Sequence, residues 1–250
     1  MVISVQGQMD IVDRDKVGSL TESELLNGEL EVVGRLVDAS NATLFGKIKV
    51  SQDERPVVYK PIAGERPLWD FPDGNLASRE VAAYILSREL HFNLVPTTVM
   101  RDGPFGPGAV QEWIEIDESV DVIAQAQKNE DTLRKMALFD VLINNTDRKF
   151  GHLLFNSSGK LFGCDHGVTF HAQPKLRTVL WQFAGAPLTQ KEIELLTATI
   201  TNFTAIENQL RDLITAAELT ALKQRIESLL SEGFFPYPNE EWPAVPWPPF

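Results

Sequence analysis

The sequence predicts an α+β fold with two lobes, a small antiparallel β lobe carrying one helix and a mainly helical C-terminal lobe. Short apolar runs separated by turn residues dominate the first half of the chain, whereas apolar residues at helical spacing and capping patterns dominate the second. A length of 250 residues is enough for one sizeable domain or for two small lobes around a shared cleft. We expect the lobes to comprise residues 1–114 and 115–250, with the connecting hinge at the end of the first.

The first lobe is predicted to contain five short strands and one helix. The strands are expected at 34–37, 44–50, 56–60, 95–100 and 108–114. A polar, hydroxyl-bearing loop at 38–43 joins the first two strands, and a Gly/Pro turn at 103–108 joins the last two. From Ser78 onward the apolar residues follow a helical period that ends before Pro96.

The second lobe is predicted to begin with a helix near 133–144, followed by a hairpin at 153–164 that delivers Asp165 to its end. Three capping boxes predict further helices, with the pairs Thr189/Glu192, Thr204/Glu207 and Thr215/Glu218. The tail after Gly233 is rich in Pro and Trp, which predicts a strap packed on the surface without regular structure.

The composition excludes several classes of function. The formal net charge of −12 argues against general nucleic-acid binding and against anionic membrane surfaces, both of which require clustered Lys and Arg. Cys164 is the only cysteine, so the chain can form neither an internal disulfide nor a cysteine-based zinc cluster. The sequence contains no apolar stretch of membrane-spanning length and does not start like a signal peptide, which predicts a cytoplasmic protein without stable membrane insertion.

Four separate features are of the kind that phosphoryl transfer requires. The 38–43 loop offers donors to phosphates, and Lys60 at a strand end can pair with Glu80 on the helix. Asp147 in a polar loop can orient a hydroxyl, and Asp165 after the hairpin can hold a divalent metal. Each feature alone has an ordinary structural explanation, such as a solvated lysine, a surface glutamate or a turn. Their order along the chain favours the functional interpretation.

The motifs that carry these residues resemble a known superfamily. Residues 140–148 read DVLINNTDR, and residues 164–167 read CDHG. Earlier in the chain, residues 58–61 read VYKP, and the predicted helix from residue 80 onward is followed by VPTT at 95–98. This arrangement resembles the phosphatidylinositol 3-/4-kinase-like superfamily, which includes the type II phosphatidylinositol 4-kinases and HipA-type kinases, in a bacterial, actinobacterial branch. The resemblance covers about residues 34–170 and implies a protein-kinase-like fold.

By this resemblance, the nucleotide would be ATP and Lys60 would bind its α and β phosphates. Glu80 would hold Lys60, and Trp113 would lie in the hinge beside the nucleotide. Asp147 would be the catalytic aspartate and Asp165 a ligand of Mg²⁺ or Mn²⁺. We therefore expect Lys60 and Glu80 to lie within ion-pair distance, and Asp147 and Asp165 to face one pocket.

The sequence departs from the superfamily pattern at two places. His152 stands where an asparagine five residues after the catalytic aspartate would bind metal. A neutral imidazole suits Mn²⁺ better than Mg²⁺, so His152 is either a metal ligand or a hydrogen-bonding loop residue. The phosphate loop contains no glycine, and a cradle there would depend on Ser40, Asn41 and Thr43.

The leading hypothesis is an ATP-dependent phosphotransferase acting on a hydroxyl of an unidentified acceptor. The alternative is a pseudokinase that binds nucleotide or a partner and serves as a scaffold, with His152 as its first sign of lost catalysis. A third hypothesis keeps the nucleotide but transfers AMP. The net charge of −12 favours a protein or a small soluble molecule over a membrane lipid as acceptor.

Overall fold

The computed structural model describes residues 19–36 and 41–250 and has an α+β fold. Five antiparallel strands form one sheet in the order β1-β2-β3-β5-β4. The strands are β1 (Glu29–Arg35), β2 (Leu44–Val50), β3 (Asp53–Pro61), β4 (Thr98–Gly103) and β5 (Gly106–Glu112). All five strands of the small lobe therefore lie at or near the expected positions, although β1 begins five residues before the predicted strand.

Different helices pack on the two faces of this sheet. Helix α1 (Glu22–Asn27), which the sequence patterns did not predict, adds Leu25 to a small core with Ile48, Val57 and Tyr59. Helix α2 (Leu76–Glu89) is the expected helix of the lobe and contacts β4 and β5. Its Ala77 and Val81 belong to a second small cluster that includes Ala109 of β5.

The remainder of the chain is mainly helical and contains the largest core. Its helices are α3 (Val122–Ala126), α4 (Asp131–Ile143), α5 (Gln190–Thr201), α6 (Phe203–Leu210) and α7 (Ala216–Glu232). Helix α4 supplies a run of buried residues that includes Leu133, Met136 and Phe139. The predicted hairpin is present as β6 (Leu153–Phe155) and β7 (Leu161–Gly163).

Two of the three predicted capping boxes are present. Thr189 caps α5 with Glu192, and Thr215 caps α7 with Glu218, each with both hydrogen bonds formed. The third prediction is wrong, because α6 begins at Phe203 with Asn202 as its N-cap, and Thr204 already lies inside the helix. Since Asn202 also ends α5, the two helices follow each other with no room for a separate capping residue.

The Pro- and Trp-rich tail forms the expected strap without regular helix or strand. It crosses the loops that precede β6 and α5, where Pro249 accepts a hydrogen bond from the Phe150 amide and Ala244 accepts one from Thr178. No helix within the described residues is both long and apolar enough to cross a membrane.

Candidate functional site

Lys60 and Glu80 are brought together by β3 and α2. Neighbouring side chains of a strand point to opposite faces, so Tyr59 enters the small core while Lys60 points to the other side of the sheet. There the Lys60 ammonium forms an ion pair with Glu80 and lies 3.0 Å from Oδ1 of Asp165. The expected pair is present, and Lys60 joins it to the end of the hairpin.

Glu80 is almost fully buried and is held from two sides. Its Oε1 faces Lys60, and its Oε2 accepts a hydrogen bond of 3.0 Å from the backbone amide of His166. A buried carboxylate needs such partners, because an unpaired charge in the interior is strongly unfavourable. The α2 helix is thus connected both to the lysine strand and to the segment that carries Asp165.

Asp165 lies where the chain leaves β7, with a positive φ of 59°. A non-glycine residue in this region is held there by its surroundings, as is frequent at functional sites. Here the neighbouring amides are both engaged, since Cys164 donates to the His152 carbonyl and His166 donates to Glu80. The Asp165 side chain remains about half exposed, so it faces both Lys60 and the open side of the site.

Three side chains form a group suited to a divalent cation. One ligand atom from each of Asp147, His152 and Asp165 lies within 4.8 Å of the other two. The Nε2 atom of His152 is 3.5 Å from Oδ2 of Asp165, and the Nδ1 atom of His152 is buried without a partner. Two carboxylates and one imidazole fit Mn²⁺ well, whereas Mg²⁺ prefers oxygen donors.

The charges of the site shift its pKa values in directions that fit these contacts. Burial alone would lower the pKa of Lys60, but the carboxylates of Asp165 and Glu80 raise it well above the ordinary value. The Lys60 ammonium in turn holds the pKa of Asp165 well below its usual range. Burial lowers the pKa of His152, which keeps its imidazole neutral near pH 7, as a metal ligand must be.

Asp147 differs from Asp165 in its surroundings. Burial raises the pKa of Asp147, although the positive charge of Lys149 opposes this, with its Nζ 3.2 Å from the carboxylate. The two acids therefore have pKa values displaced in opposite directions within one site. Such a pair is typical of sites in which one carboxylate handles a proton and the other stays charged.

The loop that carries Asp147 is built by two asparagines. Asn144 ends α4 in the left-handed conformation and turns the chain toward the site. The side chain of Asn145 then donates to Asp140 of α4 and accepts a hydrogen bond of 3.0 Å from the Asp147 amide. The position of Asp147 is thus fixed from inside the helix that precedes it.

Arg148 anchors this loop and is fully buried. Its guanidinium binds the fully buried Asp140 and donates to the carbonyl groups of His152 and Cys164. A further contact of 2.8 Å joins Nη2 of Arg148 to Nε2 of His166. One side chain therefore holds together α4, the start of the hairpin and the residues on both sides of Asp165.

The remaining candidate residues lie in the small lobe. Trp113 follows β5 and packs edge-to-face on Phe45 of β2, with ring centroids 5.3 Å apart. Asn41 accepts a hydrogen bond from the Arg66 amide, and Thr43 is buried beside it. Ser40 lies outside the described residues. Within the described part of the chain, neither Asn41 nor Thr43 hydrogen-bonds to Lys60, so their role in a phosphate cradle stays a prediction.

Comparison with known proteins identifies the family. No protein-family model matches the chain. Protein Rv2133c of Mycobacterium tuberculosis is 39% identical over 262 aligned positions, which cover 90% of this chain and 94% of that protein. This chain belongs to the family of Rv2133c.

Solved structures show the fold. A structure of hydra Fam20 with sugar superposes with a TM-score of 0.59 at 13% identity, covering 84% of this chain and 87% of that one. The Golgi casein kinase with Mn/ADP bound superposes with a TM-score of 0.53 at 13% identity, covering 84% and 74%. The fold is therefore protein-kinase-like, as expected.

Sequence reasoning missed the residues that support the site from within. In the sequence, Asp140 and Arg148 stand out only as the two ends of the motif at 140–148. Buried charges are rare unless paired, and the eight-residue separation of this pair crosses a helix end, which hides it from helical periodicity. The one available signal was a charged residue on the otherwise apolar stretch of α4.

Proposed function

We propose that this chain is an ATP- and metal-dependent phosphotransferase, related to the phosphatidylinositol 3-/4-kinase-like superfamily. The observation that carries the proposal is the position of the Lys60 ammonium between Glu80 and Asp165, at the edge of the group formed by Asp147, His152 and Asp165. Binding of a nucleoside triphosphate requires a lysine for the phosphates and an acid for the metal, and the two lie side by side here. A purely structural ion pair does not need the second acid.

In this proposal Lys60 binds the α and β phosphates of ATP. Its ammonium has three donors, and the two carboxylates that it contacts keep it protonated, so it remains a positive charge when phosphate oxygens arrive. Glu80 holds the lysine in position from its buried place on α2. Ser40, Asn41 and Thr43 would supply further donors, and Trp113 would contact the nucleotide base.

Asp165 and His152 would hold the divalent metal, and a bound metal neutralises charge on the phosphate oxygens. The donor set, with one imidazole, favours Mn²⁺ over Mg²⁺. Because burial keeps His152 neutral, its ring nitrogen is available to a cation without prior loss of a proton.

Asp147 would orient the acceptor hydroxyl and accept its proton. The hydroxyl oxygen forms a bond to the γ-phosphorus as the bond from that phosphorus to the β,γ-bridging oxygen breaks, and ADP leaves. The raised pKa of Asp147 suits a group that takes a proton during the step, since general-base efficiency increases with basicity. Lys149, 3.2 Å from this carboxylate, supplies a positive charge beside it.

The acceptor is proposed to be a hydroxyl on a protein or a small soluble molecule. The net charge of −12 would repel anionic lipid headgroups, which disfavours a membrane phosphoinositide. A single cysteine, which cannot form an internal disulfide, fits a protein that acts in the cytoplasm.

The test is to incubate ATP with the full chain in Mn²⁺, with water as acceptor, and to separate the nucleotide products by anion-exchange chromatography. We expect slow formation of ADP and phosphate by the wild type and a loss of roughly a hundredfold or more in Asp147→Asn, as for removal of a general base. Glu118→Gln, a change of an exposed loop carboxylate, is the control and should turn over normally.

Other results would redirect the proposal. Formation of AMP and pyrophosphate would favour AMP transfer over phosphoryl transfer. Binding of ATP without any turnover, in the wild type as in Asp147→Asn, would favour the pseudokinase alternative. Turnover that is unaffected by Asp147→Asn would exclude Asp147 from the reaction.

A further inference from the structure

Adjacent residues of α2 make two different connections. Successive helix residues are rotated by about 100° around the axis, so Arg79 and Glu80 point to different neighbours. Glu80 reaches Lys60 and the His166 amide, as described above. Arg79 points away from the sheet and reaches Glu218 at the start of α7.

The contact between Arg79 and Glu218 is a buried ion pair. Nη2 of Arg79 lies 2.6 Å from Oε1 of Glu218, and the two side chains are 3% and 7% exposed. The other oxygen of Glu218 accepts from the amide and hydroxyl of Thr215, which caps α7. Glu218 is therefore fixed by its own helix, and it can serve as a rigid anchor for α2.

Arg79 is also fixed by its own surroundings. Its guanidinium donates to the carbonyl groups of Asp73 and Asn75 ahead of α2 and lies 5.0 Å from the ring centre of Phe71. At the opposite end of α2, Nη2 of Arg88 donates to Gln209 of α6. The helix is thus attached to the helical lobe at both ends.

We propose that Arg79 and Glu218 are positioning residues for the nucleotide site, which hold α2 so that Glu80 stays on Lys60. The inference rests on the proposed function of that site. Outward movement of α2 would separate two buried charges and leave each without its counter-charge, so the paired state dominates in the free protein. The site is then assembled without a separate activating modification or partner.

A second ion pair in the same molecule offers a matched control. Arg134 of α4 binds Glu192, which occupies the same place in the capping box of α5 as Glu218 does in that of α7. Arg134 likewise donates to a loop carbonyl, that of Pro187, and lies over the ring of Phe235. This pair connects elements of the helical lobe only and does not involve α2.

The experiment compares Glu218→Gln with Glu192→Gln in the full chain. Glutamine keeps an oxygen for the capping box at either position, while it removes the negative charge and turns an NH₂ group toward the arginine. ATP binding in Mn²⁺ is measured by calorimetry at a temperature where both variants are folded. Hydrogen exchange of the α2 amides and of the His166 amide is measured without nucleotide.

We expect Glu218→Gln to weaken ATP binding roughly tenfold, because the fraction of molecules with an assembled site falls by that factor. The amides of α2 and of His166 should exchange faster. Glu192→Gln should lower thermal stability and leave both ATP affinity and α2 exchange unchanged. If Glu218→Gln does not fold, Glu218→Asp is used instead, because it keeps the charge at a longer distance from Arg79. It should give a smaller loss of ATP affinity, again with faster exchange of the α2 and His166 amides.

Equal ATP affinities and equal α2 exchange in the two glutamine variants would overturn the positioning role. Failure of the proposed function is a different result, in which the wild type itself does not bind ATP. In that case the exchange of α2 still decides whether Arg79 and Glu218 hold the helix.

Discussion

The buried pair of Asp140 and Arg148 allows a quantitative prediction. Both side chains are fully buried, and Asp140 Oδ1 accepts from Nη2 of Arg148 at 2.9 Å and from Nδ2 of Asn145 at 2.9 Å. Its Oδ2 accepts from Nε of Arg148 at 3.1 Å and from the hydroxyl of Thr178 at 3.2 Å. Asp140→Asn removes the charge and places an NH₂ group where one of these donors points.

The expected cost follows from the burial of Arg148. Removing one partner of a buried pair leaves an uncompensated charge, which costs about 3–5 kcal/mol in the free energy of unfolding. For a chain of this size about 1 kcal/mol corresponds to roughly 2–4 °C in Tm, so the variant should melt roughly 6–20 °C lower. The loss arises because Arg148 has no access to water that could replace the carboxylate.

The measurement is urea unfolding of wild type and Asp140→Asn, followed by circular dichroism. The control is Glu54→Gln, which breaks the exposed pair between Lys47 and Glu54 on the sheet and should leave the unfolding midpoint unchanged. A loss of less than about 1 kcal/mol in Asp140→Asn would refute the reasoning, because it would mean that Arg148 is not held by a buried charge.

Two further predictions concern the walls of the site. A Cβ at Gly108 would lie 2.5 Å from the Lys60 carbonyl oxygen, so Gly108→Ala should lower the free energy of unfolding by about 1–3 kcal/mol and weaken ATP binding. Gly34 has open space around it, so Gly34→Ala should change neither the stability nor the affinity. Equal stability of these two alanine variants in urea would contradict this. His152→Asn should shift the metal preference in calorimetric titrations from Mn²⁺ toward Mg²⁺, because it replaces a nitrogen donor by an oxygen donor. An unchanged preference would make His152 a structural loop residue.

The strands and the main helices could be predicted from the sequence because their patterns are local. The apolar run before Lys60 and the helical spacing after Ser78 depend only on neighbouring residues, and the corresponding elements β3 and α2 are present. The short helices α1 and α3 were missed, because five or six residues contain too few turns to show a period.

The contacts of the site could be predicted in part. The pairing of Lys60 with Glu80 was implied by the superfamily resemblance, and their opposite charges on successive elements of one lobe are consistent with it. The contact between Lys60 and Asp165 spans 105 residues, and that between Arg79 and Glu218 spans 139. Such pairs depend on how the helical part packs against the small lobe, and no periodicity in a single sequence encodes that packing.

The assembled site is tested most directly by calorimetric titration of ATP into the full chain, with and without Mn²⁺. We predict that the wild type binds ATP, that Mn²⁺ strengthens binding, and that Lys60→Met weakens it roughly ten- to hundredfold, the value of charge-assisted hydrogen bonds to phosphate. Lys47→Met, which removes an exposed lysine of the same sheet, should bind as the wild type does. Absence of binding by the wild type, or equal affinity of the two lysine variants, would contradict the account.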